Sequence, residues 1–247
     1  MSLLIGTVEA LYRYPVKSMA GEALASAELG WHGVAGDRRL ALRKVGDRGG
    51  FPWLTASRLP GLVCYAPEGA AGELPAAVRT PAGRSLEVFG VELAEEIGGR
   101  HGAAVEMTHL NRGIFDEASL SLIASATVAE VARLSGTPAE VRRFRPNILL
   151  ASARGVAWEE EAWVGGLLTF GAPDAGPVMA VTNRDERCAM VNLEPDTARA
   201  TPEVLKAIVA ARGCNAGVYG AVVRRGRVAV GQPVYFTAAD AREGSVT

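Results

Sequence analysis

The chain has 247 residues, of which 49% are hydrophobic and 21% are charged, and its formal net charge is −1. This balance is typical of a globular protein with a sizeable core, and it fits one large or two small domains. A net charge near zero gives no overall attraction for polyanions, so we expect neither nucleic acid nor a membrane surface as a partner.

Strands and turns dominate the first third of the chain. The 29 glycines and 13 prolines predict many turns, and the alternation of apolar residues predicts strands at residues 4–14, 21–29 and 37–45. Residues 67–76 (PEGAAGELPA) predict a mobile loop, with short strands after it. We therefore expect a mainly β protein with a few helices, of the α+β class.

The middle of the chain contains the clearest helical patterns. Residues 91–102 predict a brief helix ended by Gly98 and Gly99, followed by a strand at 103–110. Residues 116–136 (DEASLSLIASATVAEVARLSG) predict one helix that stops at Gly136. We place a soft domain boundary near residue 110, which gives an N-terminal β domain (1–110), a second domain (111–240) and a frayed tail (241–247).

The last third returns to strands. Residues 144–151 (FRPNILLA) predict a strand, and residues 201–213 predict a helix with Thr201 as N-cap and Gly213 just past its end. Beyond it, alternating segments between glycine turns predict a meander that could close a β-barrel.

Cys188 is the most unusual of the three cysteines, because it lies in a charged segment, RDERCAMVNLEPDT. Arg184 and Arg187 are expected to stabilise its thiolate, the form that attacks electrophiles or binds a metal, while Asp185 and Glu186 partly offset them. A passive role is the alternative. Three cysteines in all suit neither a disulfide framework nor an iron–sulfur cluster, so we expect a reducing, cytoplasmic location.

Basic residues recur beside predicted strand ends, where they suit an anion. Lys17 and Ser18 follow the first strand, so an ammonium, a hydroxyl and backbone N–H groups can converge there; a surface turn is the alternative. Arg38 and Arg39 open another predicted strand and should point to opposite faces, and Asp37 offers a structural partner for an inward arginine.

A third basic cluster and an acidic run complete the candidate residues. Arg145 and Asn147 lie two apart, so in an extended strand they would face one side and could share a ligand; solvated arginines at a strand edge are the alternative. The three carboxylates at 159–161 are most simply a solvated turn.

Eight short motifs resemble the MOSC proteins, the family named after the C-terminal domain of molybdenum cofactor sulfurase. In chain order they are YPVKS, GVAGDR, LTASRLPGL, EASL, FRPNI, EEAW, RC followed by PDT, and GVYG ahead of VGQPVY. They span residues 14–235, and the match is greatest to the subgroup with an N-terminal β domain, which includes the mitochondrial amidoxime-reducing component. The resemblance therefore implies a β-barrel MOSC domain packed with an N-terminal MOSC β domain.

The resemblance also implies a site and a reaction. Cys188 would ligate the molybdenum of a molybdopterin cofactor, with no iron–sulfur cluster and no pyridoxal phosphate. The reaction would be reduction of a small N-hydroxylated substrate, with electrons from a separate electron-transfer protein of the reductase, ferredoxin or cytochrome type. A cofactor carrier or storage protein, or a persulfide carrier without redox turnover, is the alternative. The cofactor-binding residues would be Lys17, Ser18, Arg38, Arg145, Asn147, Arg187 and Tyr219.

The segment after the cysteine departs from the family pattern. Met190, Val191 and Glu194 stand where the family often has two threonines and an aspartate. This difference implies a substrate pocket of its own.

Overall fold

The computed structural model describes residues 2–69, 74–113 and 117–239, which are mainly β with three α-helices, as predicted. The strands are β1 (Leu3–Arg13), β2 (Glu22–Leu24), β3 (Ser26–Gly30), β4 (Gly33–Val34), β5 (Leu40–Lys44), β6 (Ala66–Glu68), β7 (Ala77–Arg79), β8 (Ser85–Glu87), β9 (Val105–His109), β10 (Leu120–Ala124), β11 (Ile148–Ser152), β12 (Leu167–Phe170), β13 (Val178–Glu186), β14 (Asn215–Arg224), β15 (Gly226–Ala229) and β16 (Pro233–Thr237). The helices are α1 (Val91–His101), α2 (Ser125–Ser135) and α3 (Glu203–Arg212), with short 3-10 turns at Pro60–Cys64, Val141–Arg143, Glu159–Trp163 and Ala189–Asn192.

Seven strands form a closed β-barrel. Their order is β11-β10-β14-β13-β12-β16-β1, and β1 pairs with β11 to complete the ring, while β2 adds to β1 outside it. Gly6 of β1 pairs with Ser152 on one side and Val234 on the other. A Cβ at Gly6 would lie 2.2 Å from the carbonyl oxygen of Ala151, so the closure requires glycine at this position.

Apolar side chains fill the barrel, because alternate residues of its strands point inward. Val8 of β1, Leu122 of β10 and Val218 of β14 are at most 1% exposed and pack in one core. A second core lies outside the barrel wall, where α2 and α3 pack on it through Val128 and Ile208. The two helices therefore form a layer on one side of the barrel.

A smaller unit with its own core is built from the N-terminal half. β5 pairs with β9, β6–β8 form a three-stranded sheet, and α1 packs on them through Leu93 and Ile97. The first strand nevertheless belongs to the barrel, and β3 pairs with β15 from near the C-terminus. The boundary near residue 110 remains a prediction.

Two helix predictions were partly wrong. The segment 116–136 is not one helix: Leu120–Ala124 is strand β10, and only Ser125–Ser135 is helical. All five residues of β10 are buried because the barrel core covers one face and α2 the other. A strand buried on both faces lacks the alternation of apolar and polar residues by which a strand is recognised in the sequence. Helix α1 does not stop at Gly98 but runs to His101 and ends at Gly102 in the left-handed conformation.

Other local predictions had mixed outcomes. Gly136 and Gly213 are left-handed C-caps of α2 and α3, as predicted. Thr201 does not cap α3: its hydroxyl oxygen is buried without a hydrogen-bond partner in the described structure. The C-terminal strands do not close the barrel as a simple meander, because β15 pairs with β3 instead. The tail 241–247 and residues 70–73 of the predicted loop lie outside the described residues.

The predicted solvated turn of three glutamates was wrong for Glu160, which is 0% exposed. Its carboxylate accepts hydrogen bonds from the backbone N–H of Ala124 at 3.3 Å and from the hydroxyl of Thr127 at 2.9 Å. Burial raises the pKa of Glu160. The side chain therefore satisfies donors at the N-terminus of α2 and ties the turn to the helix. None of the helices in the described ranges is long and apolar enough to cross a membrane.

Candidate cofactor site

The turn after β1 brings Lys17 and Ser18 into a cavity. The backbone N–H of Lys17 donates to the carbonyl of Leu40 at 2.8 Å, and Val16 forms a bridge with the same residue, so the turn is fixed to β5. Lys17 and Ser18 are 5% and 2% exposed, and both line the cavity. The surface-turn alternative is therefore excluded for this segment.

Arg38 lines the same cavity, although not for the reason its sequence suggested. Residues 35–38 form a turn before β5, not the start of the strand, and Arg38 has a left-handed backbone with φ +49°. Its guanidinium forms an ion pair with the fully buried Asp37 and donates to the carbonyl of Arg145 at 2.9 Å. Burial works against the charge, but Asp37 more than offsets it and raises the pKa of Arg38.

Tyr14 is the aromatic support of two cavity arginines. Its ring centroid lies 4.9 Å from the guanidinium carbon of Arg38 and 4.3 Å from that of Arg145. The backbone N–H of Tyr14 donates to Asp37 at 2.7 Å, which links the ring to the buried carboxylate. Stacking on one ring fixes the planes of both guanidinium groups at the cavity wall, and planar guanidinium groups suit the recognition of an anion.

The prediction that Arg145 and Asn147 face one ligand was wrong. Arg145 is left-handed (φ 52°), so the chain is not extended between them, and Asn147 is 1% exposed. Its amide oxygen accepts from the N–H of Ser121 at 3.2 Å, and its nitrogen donates to Tyr12 at 3.3 Å. Asn147 therefore braces the barrel strands and does not line the cavity, whereas Arg145 does.

Cys188 is exposed and lines the cavity directly after Arg187. The Arg187 guanidinium is 7% exposed, donates to the carbonyls of Ala216 at 2.7 Å and Phe144 at 2.6 Å, and lies 2.7 Å from Asp185. These contacts join β14 and the turn before β11 to the cysteine. Arg187 is thus mainly a brace that positions Cys188, and its charge is balanced locally by Asp185.

Asp185 is an acidic cavity residue that the sequence prediction treated only as a neighbour. It is 1% exposed and accepts a hydrogen bond from the hydroxyl of Ser121 at 2.9 Å. Burial raises the pKa of Asp185 to about 6, and the nearby Arg187 moderates the effect. A buried carboxyl with a raised pKa in a cavity is a frequent feature of functional sites.

Arg143 is a second residue that the prediction missed. It is 6% exposed, lines the cavity and donates to the carbonyl of Asn192 at 2.8 Å. Its Nε atom is buried without a hydrogen-bond partner in the described part of the chain. Arg143 therefore holds the turn that follows Cys188 and retains one unused donor. The cluster RRFR indicated basic residues here but not which one turns inward.

The cavity has a volume of about 300 Å³, at the lower end of the usual range for small-molecule sites. It brings together six of the seven predicted cofactor-binding residues and the predicted thiol, and omits Asn147. Its lining residues outside the prediction include Thr55 and Ser57, which lie in the LTASRLPGL motif but were given no role. The lining consists of Lys17, Ser18, Arg38, Phe51, Thr55, Ser57, Glu117, Ser121, Arg143, Phe144, Arg145, Asp185, Glu186, Arg187, Cys188, Met190, Val191 and Tyr219.

The barrel and the smaller N-terminal unit define a two-part β protein with a basic cavity beside one exposed thiol. The family model for the MOSC domain matches residues 99–235, and the model for the MOSC N-terminal beta barrel domain matches residues 5–118. The chain therefore belongs to the MOSC domain family, which is associated with molybdenum cofactor binding and whose members are often enzymes related to that cofactor.

One solved structure agrees with the fold. The YuaD protein from Bacillus subtilis superposes with a TM-score of 0.51 at 16% identity, covering 97% of each chain. YiiM from Geobacillus stearothermophilus matches 48% of this chain and 54% of its own at 18% identity, with a TM-score of 0.37. At these identities the first similarity concerns the fold alone, and the second carries no further argument. No curated protein matches the sequence significantly.

Proposed function

We propose that the protein binds a molybdenum cofactor in this cavity and reduces small N-hydroxylated compounds, as the mitochondrial amidoxime-reducing component does. The observation that carries the proposal is the position of Cys188, an exposed thiol on the wall of a cavity that also contains Lys17, Ser18, Arg38 and Arg145. A thiolate is a ligand for a soft metal, and the basic groups suit a phosphorylated pterin.

The residues present fit such a group. Cys188 would hold the metal, and Arg38 and Arg145, fixed by the Tyr14 ring, would present planar guanidinium edges to the phosphate. The buried Nε of Arg143 is an unused donor on the same wall. Lys17, Ser18 and Tyr219 would complete the pterin contacts. When bound, the cofactor would supply the two-electron redox chemistry that cleaves an N–O bond to give amine and water.

The chain itself would orient the substrate and position the thiol. Arg187 fixes the backbone ahead of Cys188 through two carbonyls, so the sulfur stays at the cavity wall. Electrons would come from a separate electron-transfer protein of the reductase, ferredoxin or cytochrome type. A cytoplasmic location is part of the proposal, because the few cysteines are unpaired and suit a reducing compartment.

The test is to purify the protein from cells that make the cofactor and to quantify molybdenum and pterin. We expect about one of each per chain, and Cys188→Ser should lose the metal, whereas Cys64→Ser, a half-buried control, should keep it. Traces of molybdenum that do not change with Cys188→Ser would contradict the proposal.

Assays of reductase activity and of sulfur transfer distinguish the proposed reductase from a cofactor carrier and from a persulfide carrier. With a competent electron donor, the loaded protein should reduce benzamidoxime or hydroxylaminopurine. Stoichiometric cofactor without reduction of either compound would favour a carrier or storage role. A sulfur adduct on Cys188 after exposure to a cysteine desulfurase, detected by mass spectrometry, would favour a persulfide carrier.

A further inference from the structure

A second, smaller cavity lies against the candidate cofactor site, and we call it the small pocket. It has a volume of about 60 Å³ and shares Arg143, Arg145 and Met190 with the larger cavity. This volume is more than one water molecule needs but far below that of a pterin site, so a small group fits. Its other lining residues include Tyr14, Gly21, Val63, Arg142, Leu193 and Asp196.

Two buried hydrogen-bond donors line the small pocket. The hydroxyl of Tyr14, a residue that is 1% exposed, has no hydrogen-bond partner among the described residues. Tyr14 lines the small pocket but not the larger cavity. The Nε atom of Arg143, which is 6% exposed, is also unpaired within the described ranges, and this atom can only donate. Buried donors without partners cost free energy, so an acceptor bound in the small pocket would be favoured.

The hydroxyl of Tyr14 is held in place by the packing of its ring. The guanidinium groups of Arg38 and Arg145 stack on this ring. Gly21 lies against the ring as well: a Cβ at Gly21 would lie 2.4 Å from Cε1 and 2.5 Å from Cδ1 of Tyr14, so glycine is needed for this close approach. Burial raises the pKa of Tyr14, and the hydroxyl therefore keeps its hydrogen for donation.

The charge of Arg143 is only partly compensated by the protein. Its guanidinium donates to two neutral carbonyls, those of Val191 at 3.4 Å and Asn192 at 2.8 Å. Its acidic neighbour Glu194 lies 3.5 Å away and also pairs with Arg199 at 2.5 Å. Burial lowers the pKa of Arg143, because a buried charge without full compensation is unfavourable. A bound anion would supply the missing compensation.

Asp196 is a carboxylate on the same wall, and it restricts which anion fits. Arg142 donates to both of its oxygens, at 2.8 Å and 2.7 Å, and these bonds hold the pKa of Asp196 below its usual value. The ionised carboxylate can accept further hydrogen bonds, because each oxygen has two lone pairs. It repels chloride and sulfate, which have no hydrogen to donate at neutral pH, whereas inorganic phosphate carries at least one.

We infer that the small pocket is a second anion site, which binds a phosphate group through the hydroxyl of Tyr14, Nε of Arg143 and the carboxylate of Asp196. The two donors bond to phosphate oxygens, and the phosphate hydroxyl donates to Asp196. A free phosphate ion and the phosphate of the proposed cofactor share this chemistry. Because the cofactor phosphate is assigned to Arg38 and Arg145 in the larger cavity, the small pocket takes the free ion. This binding requires neither turnover nor the cofactor.

Isothermal titration calorimetry of the full chain with phosphate, sulfate and chloride salts, at neutral pH and constant ionic strength, tests the inference. We expect saturable binding of phosphate, about tenfold or more tighter than that of sulfate, because sulfate lacks the hydrogen bond to a charged carboxylate. Chloride should show no saturable binding. Chain purified with and without the cofactor should bind phosphate equally. Binding only to the cofactor-free chain would mean that the cofactor's own phosphate fills the small pocket, and it would overturn a separate site.

Removing the Tyr14 hydroxyl tests the first donor. Tyr14→Phe keeps the ring and should lower phosphate affinity about three- to tenfold. In the absence of phosphate it should not lower the free energy of unfolding, because the hydroxyl it removes is unpaired among the residues described. Tyr235→Phe, on β16 and outside both cavities, is the matched control. Lys17→Met, which changes the lining of the larger cavity alone, shows whether phosphate binds there instead.

Removing the Asp196 charge tests the selectivity. Asp196→Asn should abolish the preference for phosphate over sulfate, since the carboxylate that distinguishes the two ions is gone. Glu140→Gln is the matched control: Glu140 also pairs with Arg142, at 2.7 Å, but does not line the small pocket. The preference should therefore persist in Glu140→Gln.

Each outcome decides the inference. Phosphate affinity that is unchanged in Tyr14→Phe, sulfate bound as tightly as phosphate, or binding that only Lys17→Met removes would overturn it. If phosphate binds with the expected dependence on Tyr14 and Asp196 while the purified chain contains no molybdenum, the inference stands and the proposed function fails. If the chain contains the cofactor but binds no phosphate, the function stands and the inference fails.

Discussion

Replacing Asp37 with asparagine tests whether the basic side of the cavity depends on one buried carboxylate. Asp37 is 0% exposed, its Oδ1 accepts from the N–H of Tyr14 at 2.7 Å, and its Oδ2 pairs with Arg38. Asparagine has nearly the same shape and can keep the bond to Tyr14. The variant therefore removes the charge that balances Arg38 and the oxygen that accepts its hydrogen bond, without changing the shape of the side chain.

The magnitude follows from what Arg38 retains. Removing one partner of a buried ion pair typically costs about 3–5 kcal/mol. The Arg38 side chain is 14% exposed and keeps its bond to the Arg145 carbonyl and its contact with the Tyr14 ring. We therefore expect a loss at or just below the lower limit of that range, about 2–3 kcal/mol in the free energy of unfolding.

Urea unfolding of wild type and variant measures this loss, and molybdenum content after purification from cofactor-producing cells is the second measurement. Asp47→Asn is the control, since Asp47 pairs with Lys44 at 2.5 Å on an exposed turn and should change stability little. A loss below about 0.5 kcal/mol, the range of ordinary surface substitutions, would refute the role assigned to Asp37.

Three further substitutions test the surroundings of the site. Glu160→Gln should lower the free energy of unfolding by about 1–3 kcal/mol, because an amide nitrogen cannot accept the hydrogen bond that a threonine hydroxyl donates; unchanged urea unfolding would contradict this. Asp185→Asn should remove a pH dependence of stability. The carboxyl of Asp185 keeps its proton up to about pH 6 in the folded state but only to about pH 4 in the unfolded state. The free energy of unfolding of wild type relative to the variant should therefore fall as pH rises from about 4 to about 6.5, and a rise would contradict this assignment. Gly217→Ala should destabilise the fold and reduce bound cofactor, since its Cβ would lie 2.8 Å from a backbone carbonyl and 3.0 Å from Arg187; an unchanged melting temperature would exclude this crowding.

Short-range patterns in the sequence predicted which residues line the candidate site better than they predicted how those residues are arranged. Lys17, Ser18 and Cys188 were found because a strand end, a basic neighbourhood and an isolated thiol are visible in the local sequence. Arg145 and Asn147 were grouped on the assumption of an extended chain, and this failed because Arg145 is left-handed. A left-handed backbone at a residue other than glycine depends on tertiary contacts, so the two-residue alternation used to predict strands does not reveal it.

Long-range packing accounts for the other errors. Leu120–Ala124 is buried on both faces, so its strand character is hidden until the barrel and α2 are known. Glu160 lies in a run of three glutamates, which favours a solvated turn, but it reaches a helix N-terminus more than 30 residues earlier in the chain. The mainly β class was nevertheless predictable, because alternation and glycine turns recur throughout the sequence.

Backbone strain and buried charge coincide at the cavity. Ser18, Arg38 and Arg145 all line it with positive φ angles of 69°, 49° and 52°, and each such residue costs of order 1 kcal/mol or more relative to an ordinary conformation. Glycine would adopt these angles without strain but would leave no hydroxyl or guanidinium at the wall. The strain is offset by contacts of the same side chains, such as Arg38 with Asp37 and Arg145 with the Met19 carbonyl at 2.7 Å. Strained residues cluster at ligand sites, so three polar side chains held in this way around one thiol support the proposed cofactor cavity.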